Sequence, residues 1–369
     1  FAMVTGWYLA LALVLVTRPM TGARETDAEK AAAFNQWIAD NYESELYLEV
    51  RPDPAMRFGA FATKRIRAGQ VYSSTPAKLL IGREAIERSE RPQYLQMGLA
   101  EALLTFLVFE YQKGKRSFYW PYINLLPTMA DYTRNVPLLW SRDLQRERLE
   151  GTLTYRSTSD GLSHAQAEIN RIRQFLMKQD PNMMDTFETS VYMWARTVRD
   201  SRTIWLGGRD RQFVPMLDMI NCKHHADPNK IHLTKYGPKK SADTVALWDF
   251  KKGEQVFENY GQNNYMYYAY HGFAIYPNVY DCYPIEVPRS LLNTAHQWLI
   301  RNRRPQWNAE NLCISAAKGV PEKLIEIFAA YRAELNKKPT APPEDGLLGL
   351  KNYLKTIETS YPHTIDEDA

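Results

Sequence analysis

Two β-prone blocks separated by a long helical stretch most constrain how this chain can fold. The first, residues 56–82 (MRFGAFATKRIRAGQVYSSTPAKLLIG), reads as short strands joined by tight turns at Gly59 and at Arg67-Ala68-Gly69. The second resumes with strand-like segments at Phe213–Met219, Lys230–Tyr236 and Thr244–Phe250, then a turn at Gly253 before Gln255–Tyr260. Between them, from Glu84 to about Thr197, the spacing is helical, with Leu103, Leu104, Leu107, Val108 and Tyr111 on one face. Pro121, Pro127 and Pro137 break that region into pieces. Before the first block, Ala31–Tyr47 has helical spacing through Phe34, Trp37, Ile38, Tyr42 and Leu46. After Pro288 the pattern is helical again, with Leu324, Ile327, Phe328, Tyr331 and Leu335 as a stripe, and the last residues (HTIDEDA) form an acidic tail. No repeat is visible. This order gives an α+β fold and excludes a βαβ series.

Composition removes several functions. Lys plus Arg number 46 against 42 Asp plus Glu, a formal charge of +4 with no block of like charge, so electrostatic nucleic-acid binding is not expected. The three cysteines (Cys222, Cys282, Cys313) are too few for a disulfide framework or a four-cysteine zinc site. His224-His225 beside Asp227 has no Cys or Glu at ligand spacing and reads as a polar loop, so no metal is expected. There is no Walker loop, GxGxxG, HExxH or GxSxG. The 23 tyrosines and 9 tryptophans call for extensive half-buried surface or a pocket walled with rings.

The first residues stand apart. Trp7–Val16 (WYLALALVLV) is uninterrupted apolar, short of the roughly 20 residues of a spanning helix, and Thr21-Gly22-Ala23 offers small residues for cleavage. A signal peptide or anchor is expected, with association to a membrane or a large complex through residues 1–20 and a secretory or membrane-associated location. A helix packed on a partner or on the body, and an organelle such as a plastid or mitochondrion, are the alternatives.

The block from Val214 to Phe273 carries the chemistry. It holds PMLDMIN (Pro215–Asn221), DPN (Asp227–Asn229), GEQVFENYGQNN (Gly253–Asn264) and HGF (His271–Phe273). Tyr260-Gly261 places a phenol at a strand end, and Asp218 and Asn221, one turn apart, can face one crevice. Any one of these residues could equally be a turn cap or a satisfied core group.

Taken together, the block resembles the SET-domain methyltransferases, in the subgroup typified by Rubisco large-subunit lysine methyltransferase and actin-histidine methyltransferase. The likeness extends to RFGAFATKRIRAG (Arg57–Gly69), KGKRSFYWPYINLLP (Lys113–Pro127), WSRDLQRERLEGT (Trp140–Thr152) and WARTVRDSRT (Trp194–Thr203), all in family order. The resemblance implies a SET β fold interrupted by a helical insertion and followed by a helical substrate-binding lobe. The boundaries expected are a leader at 1–23, a first SET segment at 24–83, the insertion at 84–197, a second SET segment at 198–287 and the lobe at 288–369. It also implies S-adenosylmethionine as cofactor, a protein as substrate, and SN2 methyl transfer to a side-chain nitrogen through an aromatic channel. Alignment and exclusion of water would do most of the work. A lysine amine must be neutral to react, and desolvation beside a sulfonium lowers its pKa.

Carried over by position, the resemblance makes Tyr260 the catalytic tyrosine. It assigns Phe58, Gly59, Ala60, Glu84, Arg202, Asp218, Asn221 and Cys222 to the cofactor. Tyr265, Tyr268, Tyr270 and His271 would wall the channel, as would Tyr267, although packing on the core is an equal expectation for two of the four tyrosines. Three positions depart from the family: Cys222 where His is usual, His271 where Tyr is common, and Phe61 where some relatives have a basic residue. The expected activity is protein-lysine N-methylation. A histidine-directed version, or a catalytically weakened SET-fold binding or assembly subunit, is the alternative. The absence of a Cys-rich flank favours a non-histone target.

Overall fold

A computed structural model describes residues 25–206, 210–285, 287–302, 312–315 and 319–358. The expected leader and the acidic end of the tail lie outside these residues. No helix among the described residues is long and apolar enough to cross a membrane.

The first helix, Asp27–Asn41, begins at a capping box: Thr26 Oγ1 accepts from Glu29 N, and the Glu29 carboxylate accepts from Thr26 N at 2.7 Å. It buries Phe34, Trp37 and Ile38 against Tyr122 and Tyr119, and ends at Tyr42, whose N–H bonds to Ile38. Helical spacing was expected to run on to Tyr47, but the helix stops at Asn41, and Leu48 starts a strand.

Leu48–Asp53 pairs antiparallel with Arg57–Ala62, and Val71–Thr75 pairs with Ala242–Val245, which also takes Thr234–Tyr236. The two β blocks therefore interlock across the helical insertion. Ala62 N donates to Glu254 O, Val256 N to Ala60 O, and bridges join Ile66 to Phe250 and Ile81 to Phe213. A hairpin of Thr203–Leu206 with Asp210–Phe213 and a parallel pair of Asn221–Cys222 with Phe257–Glu258 complete the β part.

The expected strand Phe213–Met219 stops at Phe213. Pro215 has no N–H to give a ladder and Met216 has φ 80°, so the chain turns into a 3₁₀ segment at Leu217–Met219. Lys230–Tyr236 is strand only from Thr234, and Thr244–Phe250 is replaced by Ala242–Val245.

The insertion runs as helices from Arg83 to Arg202, including the long Leu153–Gln179. One apolar core extends from Ala31 to Val256; a second joins Ile285 to Leu350. That second core gathers the helices Arg289–Arg301, Glu322–Leu335 and Pro343–Glu358. A short strand pair, Tyr283–Pro284 with Cys313–Ile314, stands at its base, and a Cys282–Cys313 disulfide lies beside it. Two of three widely spaced cysteines are thus paired, a bridge that their count does not announce.

Candidate functional site

Two cavities share a wall. The larger, about 1140 Å³, is lined by Met56, Arg57, Asp131, Asn221, Cys222 and Phe273, among others. The smaller, about 600 Å³, is lined by Ile204, Trp205, Leu217, His232, Leu233 and Gln262, among others. Ser201, Arg202, Asp218, Tyr260 and His271 line both.

The helix Thr189–Arg202 delivers Ser201 and Arg202 at its C-terminal end. Arg202 donates to the Asp218 carbonyl at 2.9 Å, and its guanidinium lies 3.5 Å from the Asp218 carboxylate. The 3₁₀ turn that follows Met216 aims Asp218 inward, and Tyr122 donates to its Oδ2 at 2.7 Å. The carboxylate is 1% exposed, and its Oδ1 has no hydrogen-bond partner among the described residues. Burial raises the Asp218 pKa to about 6, against the opposing pull of Arg202 and the Tyr122 hydroxyl.

Arg57 closes another side. It holds φ 65° and donates to the carbonyls of Leu125 and Leu126 at 3.1 and 3.0 Å, which compensates for the left-handed backbone. It also lies 3.7 Å from Asp131, the N3 residue of the Thr128 capping box.

Tyr260 stands where the strand Phe257–Glu258 runs out, beside the parallel strand Asn221–Cys222. Its hydroxyl donates to Ile220 O at 2.6 Å, leaving its lone pairs as acceptors. Burial, then the neighbouring Cys222, push its pKa well above the phenol range, so it stays protonated. Its ring packs against His271 and Tyr267, with centroids 5.8 and 6.4 Å away. Burial, then Arg202 and Arg211, lower the His271 pKa to about 4, making it neutral near pH 7.

Arg202, Asp218, Asn221, Cys222, Tyr260 and His271 thus come together as the sequence predicts. Others do not. Phe58, Gly59 and Ala60 are buried behind the cavity wall, and Met56 and Arg57 form it instead. Phe58 acts through its carbonyl, which accepts from Asn221 Nδ2 at 2.9 Å. A Cβ at Gly59 would lie 2.3 Å from Gln255 Nε2, so the strand approaches too closely for a side chain.

Glu84 lines neither cavity. It sits early in the helix Arg83–Arg88 and pairs with Lys240 at 2.5 Å and Arg88 at 3.5 Å. Tyr265, Tyr268 and Tyr270 are likewise off both walls. Tyr268 packs edge-on to Trp140 and Tyr270 is exposed. On the helical segment Asn264–His271, only residues one turn apart share a face. Tyr267 and His271 share the one toward Tyr260. Cys222 Sγ donates to Tyr267 Oη at 3.4 Å, so the thiol supplies a side-chain bond at the position where the family usually has His. His224 stacks on Tyr267, and His225 Nδ1 accepts from Asp227 N.

Tyr122 belongs to the FYWPY stretch, which marks the family without revealing that its phenol holds Asp218. Arg57 and Gln262 lie within the quoted stretches RFGAFATKRIRAG and GEQVFENYGQNN, but nothing in the sequence gives either a role. A buried network is equally unmarked: Glu258, 2% exposed, accepts from Tyr72 and bonds His232 Nδ1 at 2.6 Å, and His232 Nε2 meets Thr234.

The SET domain model matches residues 57–261, more than half of the chain. The chain belongs to the SET-domain family. Similar curated proteins include the actin-histidine N-methyltransferase of Xenopus tropicalis, 27% identical over 265 residues, which covers 67% of this chain and 43% of that protein. Human SET domain-containing protein 4 is 23% identical over 291 residues, 73% of this chain and 64% of that protein. The chain therefore spans less than two thirds of the length of these relatives. Among solved structures, Rubisco LSMT bound to AdoMet superposes with a TM-score of 0.71 at 16% identity, over 92% of this chain and 83% of that one. Its SET fold is thus the same, and the matched span contains Arg202, Asp218, Asn221, Cys222 and Tyr260.

Proposed function

We propose that the chain is an S-adenosylmethionine-dependent protein N-methyltransferase acting on a lysine of a non-histone protein. The observation that carries this is the shared wall: two cavities meet at one protonated tyrosine, as a transfer between two separately bound molecules requires.

The larger cavity suits the cofactor. Arg202 offers a guanidinium to a carboxylate, and Asp218 Oδ1 is a buried acceptor that a cationic group would satisfy. Asn221, its amide nitrogen engaged by Phe58, keeps its oxygen as an acceptor. Arg202, Asp218 and Asn221 would hold S-adenosylmethionine there, and it would supply an electrophilic methyl group to the acceptor nitrogen. Tyr260 orients the transfer through its oxygen and, being protonated, is no base. His271, neutral near pH 7, adds no charge to repel a cation.

The smaller cavity accommodates a lysine: Ile204, Leu217 and Leu233 give apolar walls for its four-carbon stem. The histidine reading has its own support in the names of the actin-histidine relatives. The non-histone reading draws support from the cysteines of this sequence: three, two of them in one disulfide, do not make the four-cysteine zinc sites of many histone-directed enzymes. The Cys282–Cys313 disulfide supports an oxidising compartment such as the secretory pathway, and alkylation of thiols in intact cells would test it.

Calorimetry with S-adenosylmethionine tests the enzyme readings against the binding-subunit alternative. Absence of binding sinks both the lysine and the histidine form. Labelled methyl transfer into a cell-protein extract, followed by chromatography of the hydrolysate, separates methyllysine from methylhistidine. Tyr260→Phe is expected to keep cofactor binding and lose turnover by on the order of 10²-fold. Unchanged turnover removes Tyr260 from this role.

A further inference from the structure

We infer that Gln262 holds the acceptor nitrogen: its side-chain carbonyl takes an N–H of the lysine amine in the smaller cavity and thereby sets how many methyl groups are added. This rests on the methyl-transfer reading above and adds to it a residue to which the family resemblance assigns no role.

Gln262 follows Tyr260 by two residues, across a turn that needs glycine. Gly261 has φ +67°, and a Cβ there would lie 2.6 Å from Ile231 Cγ2. The backbone of Gln262 is held on both sides: its N–H donates to Tyr267 Oη at 3.2 Å, and its carbonyl accepts from Asn278 Nδ2 at 3.1 Å. Its side chain lines the smaller cavity with Tyr260, Ile204 and Leu217, but not the larger one. Its Oε1 is enclosed and has no hydrogen-bond partner among the described residues. A buried carbonyl without a donor is costly, and a turn of the side chain within the cavity that it lines would bring this oxygen to a ligand N–H and remove the cost. Lining only the smaller cavity, Gln262 serves the acceptor and not the cofactor.

The chemistry of the amine gives the consequence. A neutral lysine amine has two N–H bonds, a monomethylamine one and a dimethylamine none. Gln262 can hold the nitrogen for the first and second transfers, and has nothing to accept from for the third. The product is mono- and dimethyllysine, with trimethyllysine at most a trace.

The experiment uses the whole chain with Gln262→Leu and Gln262→Asn, a cell-protein extract as acceptor and labelled S-adenosylmethionine. Cofactor affinity is measured by calorimetry, and mono-, di- and trimethyllysine are counted by mass spectrometry. Gln262→Leu should bind the cofactor within about twofold of wild type and lose about tenfold or more in kcat/KM, the size of one hydrogen bond to a polar group desolvated on binding. Gln262→Asn, which keeps the carbonyl on a shorter arm, should recover part of that loss. Trimethyllysine as the main wild-type product, or Gln262→Leu at wild-type rate and product ratio, overturns the inference. A wild-type chain that binds the cofactor and methylates only histidine overturns it too, while leaving the methyl-transfer reading intact. Failure of the wild-type chain to bind the cofactor removes both.

Discussion

Asp218 and His271 face the same two cavities and respond to acid in opposite senses. The Asp218 pKa is raised from 3.8 to about 6, so the folded chain binds more protons there than the unfolded one across that window. Its share of stability is present below pH 3.8 and lost as pH rises through 6, on the order of 3 kcal/mol. The His271 pKa is lowered from 6.5 to about 4; its share is present above 6.5 and lost as pH falls through 4. The two trends offset one another in the wild-type chain. Asp218→Asn is therefore expected to gain stability over wild type progressively from pH 4 to pH 6, and His271→Asn to gain as pH falls from 6.5 to 4. Urea midpoints across that range check both, and flat differences contradict them. These residues were legible because PMLDMIN and HGF carry family order. Glu84 was not, since a carboxylate at a helix start looks alike whether it meets a ligand or, as here, Lys240 and Arg88. Which atom is left without a partner, as at Gln262 Oε1, depends on contacts from Tyr267 and Asn278, and no local pattern encodes those.

The segment from Asn264 to Phe273 shows where element-level reading runs out. Asn263 Oδ1 caps it, accepting from Met266 N at 2.9 Å, but its second half is π-helical and ends at Gly272 in the left-handed region. Four closely spaced tyrosines on such a segment point all around it, and their facing follows from its irregular winding. Tyr267 Oη accepts from both Cys222 Sγ and Gln262 N, so the segment is tied to the strand Asn221–Cys222 and to the turn after Tyr260. Tyr267→Phe should cost about 1–3 kcal/mol by leaving the Gln262 N–H without an acceptor, measurable by chemical denaturation. Gly272→Ala should cost more than an exposed Gly→Ala change and depress the melting temperature by several degrees. Its φ is +75°, and a Cβ would lie 2.8 Å from that of Asn135 and 3.0 Å from the Asn135 backbone. The 3₁₀ turn at Leu217–Met219 teaches the same lesson: an apolar run after Phe213 reads as strand until Pro215 and the positive φ of Met216 redirect it.

At the scale of the whole molecule, the division into a β part, a helical insertion and C-terminal helices was readable from periodicity, because each region keeps one period over many residues. The pairing of strands from either side of the insertion was not, since it depends on contacts between residues far apart in sequence. Nor was the disulfide between Cys282 and Cys313, 31 positions apart, which ties the chain just ahead of Ile285 to the strand Cys313–Ile314. Reduction is expected to remove about 2–4 kcal/mol from the unit around Ile285 to Leu350, seen as an earlier calorimetric transition in reducing buffer. An unchanged transition would show that the bridge adds nothing to that core. The wall common to the two cavities has one further effect. A molecule that fills one cavity changes the charge and hydration that Arg202, Asp218, Tyr260 and His271 present to the other. The two binding equilibria are therefore linked, each occupant acting as an effector of its neighbour. Whatever factor the first ligand contributes to the affinity of the second, the second returns to the first.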